Sequence, residues 1–234
     1  MPGAAARWFD CSRPPKVERL PTGWAPAPPS SIRSAHRGQR GSYASAMTKP
    51  RERVLLDQAI AGVADGLDPL LFWGHAENHG RVTQACFSQW YPSRFTVDGI
   101  DYTTAEQYMM AGKARRFRDD EVLARILASD SPRQIKQLGR QVRGFVGRDW
   151  EEARFAIVVA GSVAKFGQNP DLRDFLLGTG DRLIVEASPM DQVWGIGLRA
   201  TDARARDPRQ WRGLNLLGFA LMEARSILRA GDDD

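Results

Sequence analysis

The sequence predicts an α+β domain, rich in helices and carrying only a few short strands. Three observations predict it. Apolar residues recur at helical spacing in a succession of segments from Arg51 to Leu228. Strand-like runs such as Leu70-Leu71-Phe72-Trp73 and Leu183-Ile184-Val185-Glu186-Ala187 are short. Asp98-Gly99, flanked by Phe95-Thr96-Val97 and Ile100-Asp101-Tyr102, is the strongest hairpin signal in the chain.

Taken in order, Arg51 to Gly66 spaces Val54, Leu55, Ala59, Ile60 and Val63 as a helix does, and Leu70 to Trp73 reads as a strand. Gly74 to Gly80 is a polar loop, and Gln84 to Phe87 is predicted to be a second strand, with Pro92 ending the next segment. After the hairpin, Thr103 or Thr104 supplies an N-cap for a helix that carries Glu106 in its first turn. Helices are expected over Asp119 to Ala128, Ser131 to Val142, Trp150 to Phe166 and Pro170 to Leu177, with Ser131-Pro132 as a start signal. Gly178-Thr179-Gly180 stops the last of these. The strand Leu183 to Ala187 and a loop holding Pro189, Asp191 and Trp194 to Gly197 follow, and Trp211 to Leu228 closes the chain as a helix.

Residues 1–46 differ from the rest. They hold seven basic residues (Arg7, Arg13, Lys16, Arg19, Arg33, Arg37 and Arg40) against Asp10 and Glu18, so the net charge of +5 belongs to them and the remainder is neutral. The basic pI of about 9.5 therefore says little about the domain. Rich in Pro, Gly, Ser and Ala and without apolar periodicity, this extension is expected to be disordered, or to be a misassigned start upstream of Met47. It lacks the apolar core of a signal peptide, and no amphipathic helix marks it as a transit peptide. The domain is expected over 47–234. Two cysteines, one of them Cys11 in the extension, leave no disulfide framework and point to the cytoplasm. No apolar run approaches the roughly 18–20 residues that a membrane helix needs.

The segment Thr104 to Ala114 is the strongest candidate site. On a helix Glu106 and Lys113 lie two turns apart on one face, among Tyr108, Met109 and Met110. A carboxylate and an amine on an apolar segment are costly unless they pair with each other, bind something or do chemistry. Other constellations are weaker. His75 and His79 have a metal-like i, i+4 spacing but fall in a glycine-bracketed loop, and no metal or cofactor is expected. Cys86 reads as a small buried hydrophobe rather than a nucleophile. Gly195-Ile196-Gly197-Leu198-Arg199-Ala200 matches a dinucleotide fingerprint in letters, but no helix is signalled after it. Asp191-Gln192-Val193-Trp194-Gly195 places either a carboxylate and a flat ring at a pocket rim, or an Asp-capped turn with a core Trp. Asn215 is either a helix cap or a ligand contact, and Lys165, Arg94 and Arg212 are either phosphate ligands or solvated.

Several motifs occur together and in order: Cys86-Phe87-Ser88-Gln89-Trp90-Tyr91-Pro92, Ala105 to Ala114, Leu176-Leu177-Gly178-Thr179-Gly180, Glu186 to Gly197, and Asn215-Leu216-Leu217-Gly218. With these the chain resembles the NADAR (NAD and ADP-ribose) superfamily of YbiA-like proteins over about residues 70–229. The resemblance implies a YbiA-like fold and N-glycosidase chemistry at a bond between a ribose C1′ and a nitrogen. It implies catalytic roles for Glu106, Lys113 and Asp191. Substrate contacts are expected from Trp194 and Asn215, together with Phe87, Ser88, Gly195 and Arg212. A long insert, Leu198 to Arg209, departs from the family pattern.

The expected substrate is a free phosphoribosylamino-pyrimidine intermediate of riboflavin biosynthesis. The alternatives are ADP-ribosylated guanine, on nucleotides or nucleic acid, and a module that binds ADP-ribose without turnover. A neutral domain favours the small substrate over nucleic acid, although Lys113, Arg115, Arg116 and Arg118 form a local basic cluster. Pure binding does not require both Glu106 and Lys113.

Overall fold

The computed structural model describes residues 51–63, 68–75 and 80–231. The extension 1–46, Met47 and His79 lie outside the described residues.

The helices are α1 (Arg51–Val63), α2 (Ala105–Arg116), α3 (Asp120–Leu127), α4 (Pro132–Gly139), α5 (Gly147–Gly167), α6 (Pro170–Leu177) and α7 (Leu216–Ala230). The strands are β1 (Pro69–Phe72), β2 (Phe95–Val97), β3 (Ile100–Tyr102) and β4 (Leu183–Glu186). The helix-rich α+β reading holds. β1 and β4 pair in parallel, Phe72 opposite Glu186, so two carboxyl-terminal strand ends open on the same edge. β2 and β3 form the expected hairpin; Asp98 and Gly99 both take positive φ, the requirement of a two-residue primed turn. Phe95 and Tyr102, paired across it, stack at 5.6 Å, and Tyr108 of α2 meets Tyr102 edge-on at 5.0 Å.

α5 is the longest helix and packs against α7 and α2, while α7 also covers β4. α2 contacts α3, α4 and α5 in turn. Its approach to α4 is close: a Cβ at Gly139 would run into the Met110 side chain. Thr104 is the N-cap, its hydroxyl accepting from Gln107 N, and the Gln107 side chain donates to the carbonyls of Ile126 in the last turn of α3 and of Ser129 beyond it. The axis of α2 is thereby fixed from both ends of its first turn.

Three expectations need correcting. Gln84–Phe87 is a 3-10 turn rather than a strand. The Thr83 hydroxyl and carbonyl accept from Ala85 N and Cys86 N, and the buried Lys165 amine takes the Cys86 and Ser88 carbonyls at 2.6 and 2.9 Å. The groups that a strand would offer to a ladder are already used. The closing helix starts at Leu216, not Trp211. Arg212, Leu214 and Asn215 donate their backbone N–H groups to Ile196, Gln192 and Gly195, clamping the segment onto the preceding loop. Finally, α4 stops at Gly139 and α5 begins at Gly147, shifting two predicted boundaries.

Candidate active site

A cavity of about 580 Å³ lies where the carboxyl ends of β1 and β4 meet the α2 and α4 helices. This is where parallel strands place ligands, because the chain turns away there and leaves a crevice. β1 runs into Trp73 and His75 at the rim, and β4 ends on Glu186 and is followed by Ser188 and the Asp191–Trp194 turn. α2 contributes Glu106, Met109, Met110 and Lys113 on one face, as its sequence spacing requires.

Glu106 sits in the first turn of α2, with its backbone N–H donated to Gln89 O at 2.9 Å. Its carboxyl is buried, and Oε1 has no hydrogen-bond partner. Burial pushes its pKa up to about 7; Lys136 and a hydrogen bond from Trp90 oppose this, and Asp191 adds to it. Such a group holds and releases a proton near neutrality.

Lys113 is half-buried two turns along. Its Nζ donates to Gly139 O at 2.8 Å and lies over the Phe145 ring at 4.2 Å and the Trp150 ring at 5.8 Å. Burial lowers its pKa, which raises the fraction of neutral, nucleophilic amine. Glu106 and Lys113 do not form an ion pair: the cation that acts on Glu106 is Lys136, on α4. The close α2–α4 approach at Gly139 therefore places both lysines at the cavity.

Asp191 Oδ1 accepts from Val193 N and Trp194 N, both at 2.8 Å. It is the cap of its turn and a cavity wall at once, so the two readings of the motif coexist. Trp194 is half-buried and faces the cavity, its carbonyl tied to Leu217 N at the start of α7. Ser88 also lines the cavity, its hydroxyl accepting from Trp90 N.

The remaining expected contacts fall outside the lining. Phe87 is buried among Phe72, Phe166 and Phe175. Gly195 sits under β4, where a Cβ would come within 2.9 Å of Glu186 O. Arg212 is exposed. Asn215, at positive φ and fully buried, accepts from Glu186 N and donates to Ile184 O, both at 2.9 Å. It is neither a side-chain cap nor a cavity contact; it holds β4. Lys165 is not a phosphate ligand but a buried amine between two carbonyls. Arg94 is exposed. Burial pushes the Cys86 thiol up to about 12, the opposite of an activated nucleophile. His75 rests against the Trp90 ring, and among the described residues no group of three or more His, Cys, Asp or Glu is arranged to hold a metal. No α-helix follows Gly197 until Leu216, and none of the insert residues 198–209 lines the cavity.

Sequence reasoning missed Glu186, Lys136, Trp90 and Trp150, which line the same cavity. Glu186 had one signal: a carboxylate closing an otherwise apolar strand. Lys136 had none, because a lysine on a short polar helix reads as solvated.

The NADAR domain family model matches residues 71–229. The chain is 44% identical over 156 residues to N-glycosidase R617 of Acanthamoeba polyphaga mimivirus, covering 64% of this chain and 92% of that protein. It is 29% identical to the riboflavin biosynthesis protein VVA0006 of Vibrio vulnificus, over 69% of this chain and 39% of that one. The solved structure of YbiA from Escherichia coli superposes with a TM-score of 0.57 at 26% identity, covering 71% of this chain and 88% of YbiA.

Proposed function

The chain belongs to the NADAR domain family, and on that premise we propose that it is an N-glycosidase hydrolysing the C1′–N bond of phosphoribosylamino-pyrimidine intermediates of riboflavin biosynthesis. What supports the bond type is the name carried by its viral relative; what supports the pathway is the Vibrio relative. The observation that carries the site is the convergence of Glu106, Lys113, Asp191 and Trp194 on one cavity from two distant segments.

Cleaving an N-glycoside leaves positive charge on the sugar and requires a proton on the departing nitrogen. A ribosylamine has a ready path. The nitrogen lone pair forms C1′=N as C1′–O4′ opens, with Glu106 giving a proton to O4′. The neutral Lys113 amine then adds to C1′, the leaving amine departs, and a lysine Schiff base remains for water to hydrolyse. Asp191 stabilises the cationic iminium across the cavity, and Trp194 stacks on the base. No cofactor enters this path.

A second reading rests on size. The cavity also holds Trp73, Trp90 and Trp150 with Arg140 and Arg154, room and charge for a second ring and a pyrophosphate. That suits ADP-ribosylated guanine. Purified protein offered the phosphoribosylamino-pyrimidine and ADP-ribosyl-guanosine side by side distinguishes the readings by released base and sugar phosphate. Turnover of the first is expected; turnover of ADP-ribosyl-guanosine alone moves the substrate, and turnover of neither removes the proposal.

A further inference from the structure

Glu186 is the third carboxylate of the cavity, and its backbone is held on both sides. Its N–H donates to Asn215 Oδ1 at 2.9 Å, and its carbonyl accepts from Ile196 N at 3.0 Å. Its side chain faces the cavity from the end of β4, and Oε2 is buried with no hydrogen-bond partner. An ionised oxygen without a donor in such a place is costly, so a fold that fixes it there either neutralises it or uses it.

The three carboxylates are unequally provided for. Asp191 receives two backbone N–H groups on Oδ1. Glu106 receives a hydrogen bond from Trp90 and faces Lys136. Glu186 feels both other carboxylates, opposed only by Lys136. Lys113, His75, Arg140 and Arg154 complete the titratable and charged groups around the cavity. Crowded like charges leave one member holding the proton, and it is the member with the fewest donors. Burial together with Asp191 and Glu106 pushes Glu186 up to about 8, above Glu106.

We propose that Glu186 is a catalytic acid of this site, delivering its proton to the departing nitrogen. The assignment rests on the N-glycosidase reading. In the step, the C1′–N bond to the leaving group breaks and its electron pair stays on that nitrogen, which takes the Glu186 proton and departs as a neutral amine. The Lys113 nitrogen, an ammonium once it has added to C1′, first returns one proton to the Glu106 carboxylate, and its freed lone pair then forms C1′=Nζ, leaving an iminium and the Glu186 carboxylate. Water then adds to C1′ and returns one proton to Glu186. The carbinolamine passes its hydroxyl proton to Nζ and collapses to the sugar aldehyde and the free lysine. The acid is restored within one turnover, and two carboxyls divide the proton work: Glu106 at the ring oxygen and Glu186 at the leaving nitrogen.

The test uses N-aryl ribosylamine 5-phosphates whose anilines range from electron-rich to nitro-substituted, comparing the full-length protein with Glu186→Gln and Glu186→Asp. A lost leaving-group acid slows poor leaving groups most, so Glu186→Gln should lose about 100-fold in kcat on the electron-rich anilines and tenfold or less on the nitro-substituted ones. Glu186→Asp, which keeps an acid, should retain the shallow dependence of the wild type; it also decides the matter should Glu186→Gln not fold. A uniform loss across the series, an unchanged series, or a steep dependence in Glu186→Asp equal to that of Glu186→Gln would overturn the assignment. Wild-type protein inactive on every member would also overturn it; if the phosphoribosylamino-pyrimidine and ADP-ribosyl-guanosine are left intact as well, the N-glycosidase reading itself is the failure.

Discussion

One buried and one part-buried carboxyl with raised pKa values make stability depend on pH in a direction that most proteins do not show. The ordinary glutamate value is 4.5, against about 8 for Glu186 and about 7 for Glu106 in the fold. Between those limits the folded chain holds more protons than the unfolded one. The contribution is fully present below about pH 4.5 and is lost as pH rises through about 7 and 8. At roughly 1.4 kcal/mol per unit of pH, Glu186 alone corresponds to about 5 kcal/mol. The Glu186 side chain is only part-buried and the cavity opens to solvent, so the expected fall between about pH 5 and about pH 8.5 is about 2 kcal/mol. Urea unfolding at the two pH values, compared at constant m, measures it. Glu186→Gln carries no titratable proton there; it should lose at least half of the fall and be more stable than wild type at the higher pH. Wild-type stability that is flat or rises over this window, or a Glu186→Gln variant with the full wild-type fall, would refute the reasoning.

Lys165→Met leaves the Cys86 and Ser88 carbonyls without their donor while removing a buried amine that burial already lowers to about 8. Unmet carbonyls at about 1–3 kcal/mol each outweigh that relief, so thermal unfolding should show a net loss of about 2 kcal/mol, and turnover should drop as the Ser88–Trp90 wall loosens. Asn215→Ala strips partners from Glu186 N and Ile184 O and puts a Cβ-bearing residue without a polar side chain at positive φ. A destabilisation of about 3 kcal/mol in urea is expected, with turnover reduced more than KM because Glu186 is displaced.

The legible parts of the fold are those specified within a few residues. Thr104 before an apolar helix, Ser131-Pro132, and Asp98-Gly99 each declare an element through local backbone chemistry, and each appears where the sequence predicts it. The seven-residue spacing of Glu106 and Lys113 puts both on one cavity, because a helix face is a local property. Gln84–Phe87 was not legible as a 3-10 turn, since its carbonyls are claimed by Lys165 from far along the chain. Asn215 looked like a cap because it precedes a helix; only the return of the chain beneath β4 turns its amide toward the strand. Glu186 became a site residue through the parallel pairing of β4 with β1, which the sequence of β4 does not encode alone. The cation that acts on Glu106 lay beyond the reach of the sequence for the same reason. Lys113 shares its helix, but the charge acting on it is Lys136 from α4.

On the proposed path the Lys113 amine becomes covalently bound to substrate C1′. Borohydride added during turnover of the phosphoribosylamino-pyrimidine, followed by peptide mass spectrometry, tests it most directly. A reduced ribose-phosphate adduct on Lys113 is expected, absent in Lys113→Ala and unaffected by replacement of the neighbouring Lys136. An actively turning-over enzyme that yields no adduct, or an adduct on Lys136 alone, would contradict it.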